Sequence, residues 1–341
     1  MVLVIPMLKA LQRRYGQPCE LVSSGPWTTP LMQRVPACGP VHLLTSRRAP
    51  YLLNRSQWQL VDRLRQRPAG PVYVFEPDEK PLALLQRGGV GPEWICTLRD
   101  LPRQPGEHIA AHALRLARQT PAALRGRTEL PLDPEDTPDA RPVLRAADRE
   151  DCTAWLDHHR LTGFPLVLVQ PGNKKTMKGG SRQRRSNVKY WPEAHWAEVI
   201  AGVRQILPAS RVLICGAPSE RALAEDILRQ FRGSRDGVFI ATDALTIPRL
   251  LALQERAHSM ISVDTGPAHT AAAMGCPEVV MFTRQVHCAA DLYAPVPTSA
   301  PVRIILPDDP STEAGLVSIT PDTVLTAWHE LVTSGWRERA S

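Results

Sequence analysis

Residues 259–282 constrain the fold more than any other part of this sequence. An apolar stretch, Met260–Val263, runs into Asp264-Thr265-Gly266-Pro267, and small residues follow over 268–274. This order predicts a strand, a sharp turn and a helix, with a second strand beginning at Val279. The backbone N–H groups of such a turn, and the positive end of the helix dipole, point to one place where a phosphate can bind. Gly266 would let the ligand come close to the backbone.

The second half of the chain repeats this alternation of strand and helix. In Glu193–Leu207, apolar residues recur at helical spacing. Continuous apolar strands separated by helices predict a parallel sheet that is covered on both faces. The predicted strands are Leu166–Gln170, Arg211–Cys215, Gly237–Ala241, Met260–Val263, Glu278–Phe282 and Val302–Leu306.

The first half follows the same scheme less regularly, so we predict an α/β protein with two Rossmann-like, doubly wound domains and a cleft between them. A short basic helix is expected over Met7–Tyr15. The predicted strands are Glu20–Ser23, Val41–Leu44, Val72–Glu76 and Trp94–Leu98. The predicted boundaries are 1–125 for the first domain, 126–160 for a Pro- and acid-rich connector, 161–320 for the second domain, and 321–341 for a final helix that packs back toward the first.

Composition narrows the class of protein. The 341 residues are 43% hydrophobic and carry a formal net charge of +7, and no apolar run reaches the roughly 18 residues of a membrane span. The seven cysteines are dispersed, which favours reduced thiols in a cytoplasmic protein over a disulfide frame or a zinc site. The positive charge suits phosphorylated ligands or an anionic membrane surface, while the 5% aromatic content argues against nucleic acid.

A second signal lies at the end of the strand Leu166–Gln170. Pro171-Gly172-Asn173 follows it, and seven cations without an acid lie between 174 and 189. Such a run is either a solvated loop or a diphosphate-binding segment, and we leave both interpretations open. Lys189 differs from the others because Trp191-Pro192 fixes it at the start of a helix.

A third signal is Glu220, which follows the strand ending at Cys215. Its carboxylate could accept both ribose hydroxyls of a nucleotide, or it could simply favour the first turn of its own helix through the dipole.

The sequence indicates no other catalytic or cofactor-binding motif. His108 and His112 have metal-binding spacing but lack a third ligand, and no Gly-x-Ser-x-Gly, Walker or Gly-x-Gly-x-x-Gly motif is present. The sequence therefore predicts no metal and no cofactor besides a nucleotide-containing substrate.

Together these motifs resemble glycosyltransferase family 9, the heptosyltransferases of bacterial lipopolysaccharide synthesis. The resemblance covers about residues 163–335 well and the first domain more thinly. The residues that carry it are Asp264-Thr265-Gly266-Pro267-Ala268-His269, Ala271-Ala272-Ala273 with Gly275 and Pro277, Gln170-Pro171-Gly172, Lys189-x-Trp191-Pro192, and Gly216-x-Pro218-x-Glu220.

The resemblance implies a GT-B fold, with an acceptor domain first and a donor domain second. It implies an inverting, metal-independent enzyme that moves a heptose from ADP-heptose to an anionic lipopolysaccharide-core acceptor, in the cytoplasm or at the inner membrane face. Carried over by motif, Lys189 would contact the donor phosphates or sugar, Glu220 the ribose, and Asp264 the sugar. Thr265 and Gly266 would line the diphosphate, His269 would lie beside it, and Asn173 and Pro267 complete the predicted donor site.

The start of the chain departs from the family. There, the helix that matches Pro6–Leu11 follows a strand and a Gly-Asp loop, whose carboxylate is thought to be the general base. Here Met1 stands about where that loop would end, so we expect the first strand and the base to be missing. Asp264 is then the one candidate catalytic residue. The alternatives are a non-catalytic nucleotide-sugar-binding protein, or a sugar-nucleotide epimerase, which would need further cleft carboxylates. A second departure is Thr283, which follows Phe282 where the family commonly has a glycine.

Overall fold

Two units make up the chain, which divides after Val143. The predicted connector, 126–160, therefore falls on both sides of this boundary. The computed structural model describes residues 1–46, 50–76, 78–126, 138–173, 184–285, 289–296, 299–311 and 315–334.

The second unit contains a six-stranded, wholly parallel sheet in the order β10-β9-β8-β5-β6-β7. All six strands occur where the apolar stretches predicted them. Their bounds are β5 Leu166–Gln170, β6 Arg211–Ile214, β7 Val238–Ile240, β8 Ser259–Val263, β9 Glu278–Met281 and β10 Val302–Ile305. The strand order reverses between β5 and β8. At such a reversal the connections after the two strands lead away in opposite directions, which leaves the crevice in which sheets of this kind bind ligands.

Helices separate these strands. The helices of this unit are α6 Ala146–His158, α7 Glu193–Ile206, α8 Arg221–Gln230, α9 Ile247–Arg256, α10 Gly266–Met274, α11 Ala290–Tyr293 and α12 Pro321–Thr333. The buried faces of α7, α8 and α12 form an apolar core with the sheet, in which Trp191, Trp196 and Trp328 are almost wholly enclosed, and Ala268, Val280 and Phe282 form a separate cluster. The indole N–H of Trp191 donates to the Ile319 carbonyl oxygen at 2.9 Å.

The final helix, α12, packs on the second unit. It contacts α7, β9 and β10, and Val324, Trp328 and Leu331 belong to the core of that unit. The Trp328 indole N–H donates to Ser259 Oγ at 2.8 Å. Packing of this helix toward the first domain stays a prediction.

The first unit has four short strands that pair as two parallel two-stranded sheets, β1 with β2 and β3 with β4. The strands are β1 Cys19–Ser23, β2 Cys38–Leu43, β3 Val72–Val74 and β4 Ile95–Thr97. The helices are α1 Ile5–Tyr15, α2 Thr28–Met32, α3 Arg55–Gln66, α4 Glu79–Arg87 and α5 Ile109–Ala117.

The predicted basic helix is confirmed as α1. Pro6 lies in its first turn, and Gly16, in the left-handed region at φ 71°, ends it by donating to the Gln12 carbonyl oxygen. Its apolar face packs against α5 and the strand β4 in a separate small core. Among the described residues, no helix combines the length and the apolar character needed to cross a bilayer.

Glu278 is an acidic residue buried inside the second unit. It lies at the start of β9, between Met260 of β8 and Val302 of β10, and it is fully buried. Neither carboxyl oxygen has a hydrogen-bond partner among the described residues. Burial raises the pKa of Glu278 well above its ordinary value, because the ionised form loses its hydration. The folded chain therefore holds Glu278 in the neutral form over a wider pH range than the unfolded chain does.

We expect Glu278→Gln to raise the free energy of unfolding relative to wild type, increasingly as the pH rises. The folded-state pKa is raised, so the stability that this group contributes is complete below the unfolded pKa of about 4.3 and is lost as the pH rises through the folded value. Within that window, the advantage of the variant should grow by about 1.4 kcal/mol per pH unit. Urea denaturation at about pH 5, 6 and 7 measures it.

The matched control is Glu150→Gln, which makes the same change at an exposed position of α6. This control should show no comparable growth with pH. If the advantage of Glu278→Gln is the same at each pH, Glu278 does not remain protonated in the folded chain.

Candidate functional site

Three loops meet the carboxyl ends of neighbouring strands in the second unit. Asp264 follows β8, Gly172 follows β5, and Gly216 follows β6. Because β8, β5 and β6 are adjacent and parallel, these loops lie along one edge of the sheet, at the reversal of strand order. All of the predicted donor-binding residues lie in these loops or in the segments next to them.

The loop after β8 forms the predicted strand–turn–helix. The Asp264 N–H donates to the Met281 carbonyl oxygen at 3.0 Å, and Thr265 is extended at φ −148° before α10 begins at Gly266. No side chain caps this helix, and the Thr265 hydroxyl is buried without a partner among the described residues. The N–H groups of a first helical turn have no partner within the helix, so this end of α10 offers donors to an anion.

The first turn of α10 is open to solvent at Gly266. A Cβ built on Gly266 would meet no heavy atom within 4 Å, so the first turn is accessible from outside. Pro267 occupies the first turn and its carbonyl oxygen accepts from Gln254 Nε2 at 2.8 Å. Gln254 thus holds this turn at Pro267, while Gly266 is exposed.

Asp264 lies between a lysine and a histidine side chain at this helix end. Lys189 Nζ donates to Asp264 Oδ2, and His269 Nε2 lies 3.6 Å from Asp264 Oδ1. Burial alone would raise the pKa of Asp264, but His269 and the Lys189 ammonium hold the pKa below its ordinary value. Asp264 is therefore ionised at neutral pH, and both of its oxygens are directed at neighbouring side chains.

Lys189 reaches this position because its backbone is fixed on both sides. The Lys189 N–H donates to Asn187 Oδ1 at 3.1 Å, and Asn187 Nδ2 donates to Asn173 Oδ1 at 3.2 Å. On the other side, Trp191 is buried in the core. These contacts tie the segment before α7 to the loop after β5, so the predicted residues Asn173, Lys189 and Asp264 belong to one connected arrangement.

The basic run divides into parts with different roles. Arg184 is buried and its Nη1 donates to Glu193 and Asp226, at 2.9 Å in each case, so it connects α7 to α8. Arg185 is exposed. The four cations of this run at 174, 175, 178 and 182 lie outside the described residues. Within the described part, Arg184 has a structural role, and Lys189 is the cation placed at the helix end.

Glu220 lies against Gly172. A Cβ on Gly172 would overlap Glu220 Oε1, so only glycine leaves room for the carboxylate there. Glu220 Oε2 accepts the Ala217 N–H at 2.6 Å, at the start of the turn that leads into α8. Burial raises the pKa of Glu220, and the hydrogen bonds from Ala217 and Gln170 partly offset the effect. The carboxylate thus has a local structural role, and its contact with a ribose stays a prediction.

Sequence reasoning missed the supporting roles of three polar residues. Gln170 Nε2 donates to the Gly172 carbonyl oxygen at 3.2 Å and also supports Glu220, and Gln254 holds the first turn of α10. Asn187 had a readable signal, because an Asn two residues before Lys189 can accept the backbone N–H in an Asx turn. Gln254 had none, because it lies on a different helix and meets Pro267 only in the folded chain.

A cavity of about 400 Å³ lies in the first unit, between the end of α3 and residues 88–94. None of the predicted donor-binding residues lines it. No group of three or more metal-ligating side chains occurs in the described part of the chain. The charge and the open helix end around Asp264 therefore make the loop after β8 the stronger candidate for binding an anionic ligand.

Comparison with known families supports this choice. Residues 157–300 match the family described as glycosyltransferase family 9 (heptosyltransferase), and this segment contains the three loops. No curated protein matches the sequence.

Solved structures share the fold over almost the whole chain. ADP-heptose LPS heptosyltransferase II from E. coli superposes with a TM-score of 0.71 at 17% identity, covering 98% of this chain and 95% of that one. A family 9 glycosyl transferase from Veillonella parvula gives 0.72 at 15% identity, with coverage of 98% and 93%. E. coli heptosyltransferase WaaC, solved with ADP, gives 0.65 at 16% identity, with 96% and 95%. The predicted GT-B α/β fold is thereby confirmed.

We expect Gly172→Ala to lower the free energy of unfolding by about 1–3 kcal/mol, because the added methyl group must displace the buried Glu220 carboxylate. Gly266→Ala is the matched control, since a methyl group there meets nothing within 4 Å, and its stability should stay within about 1 kcal/mol of wild type. Thermal and urea denaturation of both variants measure the effect. Equal stability of the two would show that Glu220 does not occupy the place beside Gly172.

Proposed function

We propose that this protein transfers a heptose from ADP-heptose to a glycan acceptor, because residues 157–300 match the glycosyltransferase family 9 model and the chain has the fold of the solved heptosyltransferases. The single observation that carries this proposal is the Lys189–Asp264 pair beside the uncapped first turn of α10. An ammonium and free backbone N–H groups together are suited to a diphosphate.

The chemistry requires stabilisation of a leaving group. An acceptor hydroxyl attacks the anomeric carbon and gives up its proton to water, the bond from that carbon to the β-phosphate oxygen breaks, and ADP leaves with an added negative charge. Donors that are already in place at the helix end stabilise this charge without reorganising. Under this proposal Lys189, Thr265 and Gly266 meet the diphosphate, and the reaction is inverting and needs no metal ion.

Asp264 acts in this scheme by positioning other groups. Its pKa lies below the ordinary value, which makes it a weak base, and its oxygens face Lys189 and His269. We therefore assign it the orientation of the ammonium and the imidazole, close to the donor sugar, and assign the general base to no residue.

The proposal also names the class of donor and of acceptor. A structural neighbour with the same fold was solved with ADP and another with ADP-2-deoxy-2-fluoro heptose, which supports an ADP-linked donor here. The resemblance to the lipopolysaccharide enzymes supports an anionic lipopolysaccharide-core acceptor and a place in the cytoplasm or at the inner membrane face.

The direct test measures ADP release from ADP-heptose, with and without a heptose-free lipopolysaccharide core as acceptor. Acceptor-dependent ADP release supports the transferase, and an unchanged rate in EDTA supports the metal-independent mechanism. The engagement of both Asp264 oxygens favours one alternative, a protein that binds the nucleotide sugar without transferring it. Binding by calorimetry without ADP release would establish that alternative, and no binding of ADP or ADP-heptose would overturn both.

We expect Lys189→Ala to weaken ADP binding by about 1.5–3 kcal/mol, the range of a hydrogen bond to a charged group. The loss of the ammonium also leaves the Asp264 carboxylate to repel the diphosphate. Arg185→Ala removes an exposed cation of the same segment and serves as the control. Isothermal titration calorimetry at low salt should show weakened binding for Lys189→Ala alone. Similar losses in both variants would mean that general charge attracts the ligand.

We expect Gly266→Ala to weaken ADP binding about tenfold or more while leaving the stability of the chain unchanged, because the methyl group would occupy space that a phosphate needs. Calorimetry with ADP, run beside thermal denaturation of the same preparation, separates the two effects. Normal affinity in a normally folded Gly266→Ala variant would place the diphosphate away from α10.

A further inference from the structure

Two adjacent leucines in the first unit are unusually exposed. Leu52 and Leu53 are 76% and 82% exposed, more than any other large apolar side chain that the structure describes, and Trp58 beside them is 43% exposed. They lie in a single turn, Tyr51–Leu53, that leads into α3. We call these residues, with Tyr51, Arg55 and Arg87, the Leu52–Leu53 surface.

The exposure is built into the backbone of the turn. The Asn54 N–H donates to the Tyr51 carbonyl oxygen at 3.0 Å, and the Trp58 indole N–H donates to the same oxygen at 2.7 Å. Asn54 is buried and its Nδ2 donates to the Ser46 carbonyl oxygen at 2.7 Å. Since the turn is anchored on both sides, the leucines are held toward solvent by its conformation.

Two arginines, Arg55 and Arg87, lie beside this apolar tip. Residues 50–67 contain four arginines and one aspartate. That aspartate, Asp62, lies 3.6 Å from Arg65. Arg55 precedes Trp58 by three residues and so shares its helix face, and the Arg87 guanidinium lies 4.8 Å from the centre of the Tyr51 ring. The surface therefore combines two leucines and two aromatic rings with guanidinium groups.

We propose that the Leu52–Leu53 surface docks this protein on an anionic lipid bilayer. The leucines enter the headgroup and upper acyl region, the aromatic side chains lie at the interface, and the arginines meet lipid phosphates. A protein partner fits the observations less well, because three exposed apolar side chains are far fewer than the roughly 20–30 residues that one side of a standard interface supplies.

The choice of a bilayer is consistent with the proposed function and goes beyond it. A glycolipid acceptor lies in a membrane, so a docking surface would bring the enzyme to its acceptor without any change at the donor site. The contacts of the Leu52–Leu53 surface, however, lie wholly in the first unit and involve none of the donor-binding residues. The two proposals can therefore fail separately.

The test is sedimentation of the full chain with vesicles of phosphatidylglycerol and phosphatidylcholine, without acceptor or nucleotide sugar. Wild type should bind vesicles that contain phosphatidylglycerol, and less strongly at high salt. The double variant Leu52→Ser/Leu53→Ser should lose about tenfold or more of this binding, because its apolar contacts are removed. Val317→Ser, which changes a 54% exposed valine of the second unit, should bind like wild type.

A second variant tests the charge. Arg55→Gln should reduce binding to anionic vesicles more than Arg103→Gln, a change at another exposed arginine of the first unit. All four variants alter exposed side chains, and thermal denaturation confirms that each is folded, whether or not the chain binds ADP.

Three outcomes would overturn the inference. Wild type could fail to bind anionic vesicles or bind phosphatidylcholine equally well, or the double leucine variant could bind like wild type. Concentration-dependent self-association of wild type that disappears in the leucine variant would instead identify the surface as a contact between two copies of this chain. Normal ADP release in a chain that does not bind vesicles would leave the transferase proposal intact.

Discussion

The ion pair between Lys189 and Asp264 is the interaction on which the candidate site depends. The two residues are 75 positions apart in the chain, and their side chains are only 19% and 10% exposed. Taking two charges out of water is costly, and a pair of this kind persists only where its geometry and remaining hydrogen bonds are good. Here the Asn187 contact fixes the lysine backbone, and the turn before α10 fixes the aspartate. The pair therefore sets the distance between the segment before α7 and the first turn of α10.

The sheet makes this pairing possible. Parallel strands bring their carboxyl ends to one edge, and the reversal of order between β5 and β8 places the loop that carries Gly172 beside the loop that carries Asp264. Small residues in α10 let that helix pack closely, with Ala268, Ala271 and Ala272 fully buried. In the first turn of that helix, Gly266 remains exposed.

Several features of the chain lower stability locally and coincide with candidate function. The first turn of α10 has no side-chain cap, although a cap would stabilise the helix. The Leu52–Leu53 surface exposes apolar side chains to water, although burying them would be favourable. A stable chain tends to depart from local rules where another requirement competes, so both departures are informative. Glu278 is different, because it is buried and belongs neither to the first turn of α10 nor to the Leu52–Leu53 surface.

The sequence alone determined the periodic part of this protein. Continuous apolar strands, helical spacing in Glu193–Leu207 and the turn residues before α10 are local patterns, and local patterns predicted the six strands of the sheet in the second unit and the turn between β8 and α10. Tertiary structure decided which cations serve the site. Arg184 and Lys189 belong to one basic run, but Arg184 contacts Glu193 and Asp226 while Lys189 contacts Asp264. The burial of Glu278 and the support from Gln254 likewise depend on neighbours far along the chain. The physical reason is that periodicity reflects which face of an element is buried, whereas the partner of a charged side chain depends on how distant segments pack.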